Sequence, residues 1–328
     1  MKEENIMAEW KEIEITKIKN IRFGHAQDED NATGCSVIVC DKPAPCGVDI
    51  RGGGPASRET GLLEPTASND GIHALFLSGG SAYGLDVAGG MMKYLEEHGM
   101  GLPVGDALVP IVVGSCIFDL NCVQHHIRPD AKMGYMACVD SENNRNVQGN
   151  VGAGMGATVG KLLGNKRAMK SGLGTYAIQV GKLQVGAIVV VNAIGDVYEM
   201  DSQKELAGLL NKEGTKMISS EKEAIKWLQL QNHFTSNTTI AAIVTNAKLD
   251  KTQMTKVAQL SSNGIARTIR PVNTSMDGDT VYALSCGKVK SSSDVIGTLG
   301  AHVLAKAINR AVLETEEKYG YRSAQSFL

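Results

Sequence analysis

The residues best suited to covalent chemistry lie together in Arg267-Thr-Ile-Arg-Pro-Val-Asn-Thr-Ser-Met-Asp-Gly-Asp-Thr280. Asn, Ser, Asp and Gly all favour turns, so on spacing alone Asn273 to Asp279 reads as a turn leading into a strand that begins near Val281. A chemical reading stands beside it. If the backbone were cut between Asn273 and Thr274, Thr274 would carry a hydroxyl and a free α-amine on one residue. The hydroxyl would be the nucleophile and the amine its general base. An α-amine suits that work because its unperturbed pKa is about 7.7–8.0, which leaves a useful neutral fraction near pH 7.

Other chemistry-bearing groups carry less. Gly152-Ala-Gly154-Met-Gly156 resembles part of a dinucleotide fingerprint, but its last glycine comes one residue early, no clear strand precedes it and no acidic residue follows at the required distance. It reads as a loop or a close packing point. Gly52-Gly53-Gly54 and Gly79-Gly80 lack the Lys-Ser/Thr of a phosphate loop. His125-His126 with Asp130 has no third ligand at suitable spacing, so a solvated loop is expected rather than a metal site. The seven cysteines form no C-x-x-C pair and read as reduced, mostly buried small hydrophobes.

Positioning any of these groups requires a framework of strands and helices. Short apolar, β-branched runs predict buried strands at Cys35–Cys40, His73–Leu77, Val185–Val191, Thr239–Thr245 and Val281–Leu284. Apolar residues at helical spacing predict helices over Ala82–Glu97, Thr252–Thr268 and Asp294–Leu313. Ser292 or Ser293 is the natural N-cap of the last, and Asp294 places a carboxylate at its positive end. The polar segment 201–237 reads as a surface excursion with one helix around Ser220–Leu230. Alternating strands and helices otherwise predict one layered α/β domain over residues 1–328.

Composition bounds the function. The chain has 328 residues, 43% of them hydrophobic, with 37 glycines and only 5% aromatics, which suits tight packing of helices on sheets. A net charge of -2 with dispersed charges gives no footprint for nucleic acid. No run approaches the roughly 20 apolar residues that span a bilayer. The charged start lacks the apolar segment of a signal peptide, so a cytoplasmic location is expected.

Several stretches in order tip the balance at Thr274. They are Asn20-Ile-Arg-Phe-Gly-His25, Thr33-Gly34-Cys35, Val48–Gly52 with Arg58-Glu59-Thr60, Leu77–Asp86, Val189–Asp196, Ala266-Arg267-Thr268 and Asp277-Gly-Asp279. Together they resemble the L-aminopeptidase/D-esterase family of self-processing N-terminal-nucleophile hydrolases. That family also contains β-peptidyl aminopeptidases and the nylon-oligomer (6-aminohexanoate) endo-hydrolases. Asn273-Thr274 is similar to the cleavage site of the nylon-hydrolase branch.

The resemblance implies an αββα sandwich of the aminopeptidase/ornithine-acetyltransferase type. It implies a precursor that cuts itself into an α chain of residues 1–273 and a β chain of residues 274–328, with Thr274 as nucleophile. Asn192 matches the asparagine whose amide stabilises the oxyanion, a placement that makes sense directly after an apolar strand. Ser292 and Asp294 resemble the Ser-x-Glu or Asp-x-Asp pair near the nucleophile's amine, and Lys170 resembles a lysine of the nylon-hydrolase branch. The family tyrosine has no clear counterpart, since the nearest stretch, Cys116–Leu120, offers only Phe118. The implied substrates are amides, esters or short peptides with a free amino group, without metal or organic cofactor, and the implied assembly is a homotetramer. An acyltransferase using the same threonine, an uncleaved binding protein, and a nucleotide-binding module on Gly152–Gly156 are the rival readings.

Overall fold

The computed structural model describes residues 10–226 and 237–328. Its centre is two sheets packed face to face. The six-stranded sheet runs, from one edge to the other, Lys11–Ile13, Leu173–Val180, Leu183–Asn192, Thr238–Ala247, Thr280–Val289 and Cys46–Ile50. The five-stranded sheet runs Ile21–Asp28, Thr33–Ala44, Ile72–Ser78, Val112–Cys116 and Ala56–Arg58.

The period-2 alternation of side chains assigns each strand's two faces. In Leu183–Asn192, Val185, Ala187, Val189 and Val191 face a core shared with helices Lys251–Ser261 and Ser293–Leu313. Ile188 and Val190 face the other way, into the core between the sheets, where they meet Ile38, Leu75, Leu77 and Val113. The five-stranded sheet repeats the device: Val37, Val39, Ala74 and Phe76 point outward to helices Val87–Glu97 and Ala131–Asp140. Both faces of both sheets are buried, which is why the strands read as continuous apolar runs. Helix, sheet, sheet, helix is the αββα order that the resemblance implies.

All five expected strands lie within observed ones. The expected helix Ala82–Glu97 begins as a 3-10 turn over Ser81–Asp86 before becoming α-helical at Val87. The expected helix Thr252–Thr268 is two, Lys251–Ser261 and Asn263–Thr268, broken where the Ser262 hydroxyl bonds to Asp49. Asp130 is no loop residue: it caps helix Ala131–Asp140 by accepting from the Met133 amide at 2.9 Å. All seven cysteines are free, and five are buried.

Residues 201–237 are partly built into the body. Glu205–Ala207 pairs with Asp196–Tyr198, which pairs in turn with Ile269–Arg270. Leu206, Ala207, Leu209 and Leu210 are buried, so this portion is core and not surface: its leucines cover the end of the helix-side core. The helix near Ser220 spans Ser220–Lys226, and the rest of the expected span to Leu230 lies outside the described residues. Among the described residues, no helix is long and apolar enough to cross a membrane.

Candidate active site

Register brings the chemistry-bearing residues to one end of the six-stranded sheet. Asn192 closes its strand opposite Thr238, the first residue of the next, and Ile240 pairs with Thr280, where the strand after Thr274 begins. Asn192, Thr239 and the Asn273–Asp279 turn therefore meet at this end. Asn273 has φ 57°, the left-handed region that asparagine tolerates better than most residues. Its N–H donates to Asp279 Oδ2 at 2.9 Å, while Asp279 Oδ1 accepts from the Thr239 amide at 2.6 Å. One carboxylate thus ties the turn to the start of the neighbouring strand.

The glycines after strand Cys46–Ile50 form the other wall. Gly53 N–H donates to the Thr274 carbonyl at 3.1 Å, and Gly54 N–H donates to the Asp277 carbonyl at 2.8 Å. A Cβ on Gly52 would stand 2.3 Å from the Asp277 carbonyl oxygen and 2.4 Å from the Asp279 nitrogen, so only glycine lets the two backbones approach this closely. The run cradles the turn.

At Thr274 itself, the backbone N–H donates to Asp277 Oδ2 at 2.7 Å, and the hydroxyl oxygen accepts from the Met276 amide at 3.2 Å. Its carbonyl is held twice, by Gly53 and by the Asp277 amide at 3.2 Å. Asp277 and Asp279 are both buried. Burial pushes both carboxyls up; hydrogen bonds from Thr274 and the Lys161 charge oppose this at Asp277, while the neighbouring Asp277 adds to it at Asp279.

Asn192 is fully buried, and both ends of its amide are hydrogen-bonded, with one N–H of the NH2 left over. Its Oδ1 accepts from Lys161 Nζ at 2.8 Å and from the Thr158 amide at 3.1 Å, and its Nδ2 donates to the Phe118 carbonyl at 2.9 Å. Lys161 Nζ also donates to the Asn192 carbonyl at 2.8 Å. An ammonium on the amide oxygen draws electron density from the amide and makes its N–H groups stronger donors. Lys161 is 1% exposed; burial pushes it down to about 7, against the charges of Asp277, Cys122, Asp119 and Asp279.

Sequence reasoning missed Lys161. The signal was available: a lone cation closing the small and apolar run Val151–Gly160 has to find partners. It selected Lys170 instead. Lys170 is also buried, and burial pushes it down to about 7. Its Nζ, however, donates to the backbone carbonyls of Gly154, Ala157 and Ser171, so it braces a loop and makes no hydrogen bond to Asn192 or Thr274. Phe118 contributes its backbone carbonyl, which needs no hydroxyl.

Ser292 and Asp294 are not brought to Thr274. The intervening strand Thr280–Val289 runs ten residues away from the site, about 30 Å at roughly 3.3 Å per residue. Both side chains are exposed at the far end of the sheet, where Ser292 caps helix Ser293–Leu313 by accepting from the Val295 amide at 3.3 Å. The carboxylates beside Thr274 are Asp277 and Asp279, whose spacing the sequence reading took as turn chemistry. His125 and His126 lie in an exposed loop, and among the described residues no group of three His, Cys, Asp or Glu could hold a metal ion.

Assembled, the end of the sheet offers a hydroxyl, a carboxylate against the nitrogen of the same residue, and an amide polarised by a buried ammonium. Those are the parts of an acyl-transfer site. Comparisons with known proteins agree in kind. The family model described as "Peptidase family S58" matches residues 14–325. An uncharacterized aminopeptidase of Mycobacterium leprae is 38% identical over 93% of this chain and 91% of its own length. A 6-aminohexanoate-oligomer endohydrolase of Paenarthrobacter ureafaciens is 27% identical over 89% of this chain and 83% of its own. Among solved structures, the L-aminopeptidase D-Ala-esterase/amidase of Ochrobactrum anthropi superposes with a TM-score of 0.68 at 15% identity, covering 95% of this chain and 92% of that one. A Burkholderia sp. beta-aminopeptidase superposes with a TM-score of 0.65 at 19% identity, over 94% and 89% of the two chains. At these identities the superpositions speak for the fold, an Ntn-hydrolase variant.

Proposed function

Since the chain belongs to peptidase family S58 and is accordingly a hydrolase of the aminopeptidase and amidase kind, we propose that it activates itself by cutting between Asn273 and Thr274 and then works through Thr274 as an N-terminal nucleophile. The observation that carries this reading is the 2.7 Å hydrogen bond from the Thr274 nitrogen to Asp277, beside a hydroxyl on the same residue.

In the first step the Thr274 hydroxyl oxygen attacks the Asn273 carbonyl carbon. The bond to the Thr274 nitrogen breaks, that nitrogen takes the proton, and the chain is left joined through an ester. Water then splits the ester, leaving a carboxylate on Asn273 and a free amine on Thr274. The amine stays where the amide nitrogen was, against Asp277, and the two hydrogen bonds on the Thr274 carbonyl keep the residue in place.

In turnover the neutral α-amine takes the hydroxyl proton as Thr274 attacks a substrate carbonyl. The Asn192 amide, polarised by Lys161, donates to the oxyanion. The proton passes to the leaving group, and water resolves the acyl-enzyme. Buried carboxylates beside the nucleophile favour amides, esters or short peptides that carry a free amino group, a class that includes 6-aminohexanoate oligomers. Water suffices as acceptor, so product should form without any added amine.

Intact mass and a mutant test the reading together. The wild type should separate into fragments of residues 1–273 and 274–328, while Thr274→Ala should remain full length and inactive. An active wild type that is unbroken at this junction, or turnover surviving in Thr274→Ala, would overturn it.

A further inference from the structure

Three of the matching or glycine-rich stretches have no part in the chemistry above, and they converge on one side chain. Asp119 is 3% exposed, accepts from the Thr33 hydroxyl at 2.7 Å through Oδ2 and from the Gly80 amide at 2.7 Å through Oδ1. A Cβ on Gly79 would stand 2.0 Å from Asp119 Oδ2, and one on Gly156 would stand 2.7 Å from Asp119 Cβ. Thr33-Gly34-Cys35, Leu77–Asp86 and Gly152–Gly156 therefore build a closed seat for this carboxylate. The residue before it, Phe118, accepts from the Asn192 amide.

We propose that Asp119 is a positioning residue of the reaction, one that fixes the Phe118 carbonyl against Asn192 and whose negative charge favours the Lys161 ammonium. The proposal rests on the reading of Asn192 as oxyanion donor and Thr274 as nucleophile. An asparagine would keep the same two partners: its oxygen accepts from the Gly80 amide, and its NH2 donates to the Thr33 hydroxyl oxygen. What the carboxylate adds is charge, and charge in so buried a place is costly unless something uses it. Burial pushes its pKa up to about 6, against the hydrogen bonds from Gly80 and Thr33 and the positive charge of Lys161.

The groups that act on Lys161 are Asp277, Cys122, Asp119 and Asp279, and Lys170 and Cys116 also feel Asp119. A nearby negative charge favours an ammonium and raises its pKa, so neutralising Asp119 lowers the pKa of Lys161. Lys161 polarises Asn192 only while protonated. The alkaline fall of kcat must then move to lower pH when Asp119 is neutralised.

The experiment compares the cut wild-type enzyme with Asp119→Asn and Thr33→Val, normalised to the cleaved fraction found by mass, and with uncut Thr274→Ala per total protein, on one amino-amide substrate between pH 6 and 9. Asp119→Asn should lower kcat about tenfold at pH 8, leave KM within about twofold, and move the alkaline limb to lower pH. Thr33→Val removes one anchor and lets burial push the Asp119 carboxyl further up; kcat should fall a few-fold, with the alkaline limb displaced less than in Asp119→Asn. If Asp119→Asn gives no folded protein, Thr33→Val decides: an unchanged kcat there refutes the proposal. Wild-type kcat and an unmoved limb in Asp119→Asn, with Thr274→Ala inactive, sink the role of Asp119 and leave the nucleophile standing. Activity in Thr274→Ala sinks the underlying reading instead.

Discussion

An amide donates better to a developing oxyanion when its own oxygen is already engaged by positive charge, and Asn192 is arranged that way by Lys161 and the Thr158 amide. Asn192→Ala should therefore lower kcat by about 10²–10³, the usual loss for one oxyanion donor, with a much smaller change in KM. Steady-state kinetics on the cut variant checks this; a kcat within twofold of wild type would remove Asn192 from the mechanism. That Thr274 and Asn192 come to one end of the sheet was legible, Asn192 because it closes an apolar strand and Thr274 because it stands in a turn leading into another. Lys161 was not, because the apolar run before it signals burial but nothing along the chain names Asn192 as the partner it finds. Ser292 and Asp294 misled for a related reason. Spacing along the chain says nothing of which way a strand carries the residues beyond it, and Thr280–Val289 carries them to the far end of the sheet.

At the level of elements, the turn that holds Thr274 is shaped by what it leans on. Gly52 lies against the Asp277 and Asp279 backbone with no room for a methyl group. Gly52→Ala should push the turn off Thr239 and Gly53, slowing self-cleavage by at least tenfold and costing about 1–3 kcal/mol of stability. A time course of fragment formation by mass, with thermal unfolding alongside, measures both; cleavage at the wild-type rate would mean the turn needs no such support. The central strands were readable because both their faces are buried and apolar runs result. Strands Ile21–Asp28 and Leu173–Val180 escaped notice because polar residues interrupt their apolar pattern. The break at Ser262 escaped because helical periodicity runs straight through it, and only the bond to Asp49 reveals the change of direction.

Taken whole, the molecule places its proposed cut inside a crossover. Strands Thr238–Ala247 and Thr280–Val289 are parallel neighbours, joined through helices Lys251–Ser261 and Asn263–Thr268 and then the Asn273–Thr274 turn. The strand beyond the cut is hydrogen-bonded on both sides, to Thr238–Ala247 and to Cys46–Ile50. Scission there frees no piece, yet it changes what unfolding means. An uncut chain that melts finds its missing strand again at the effective concentration of its own tether, whereas a nicked one must recapture a separate 274–328 peptide from bulk solution. Recovery of the nicked protein from denaturant should therefore slow on dilution, while that of Thr274→Ala should not, and refolding yields measured over a hundredfold range of concentration would tell them apart. Maturation would in this way act as a ratchet: the working form is made once, from an intact precursor, and a molecule that later comes apart is lost.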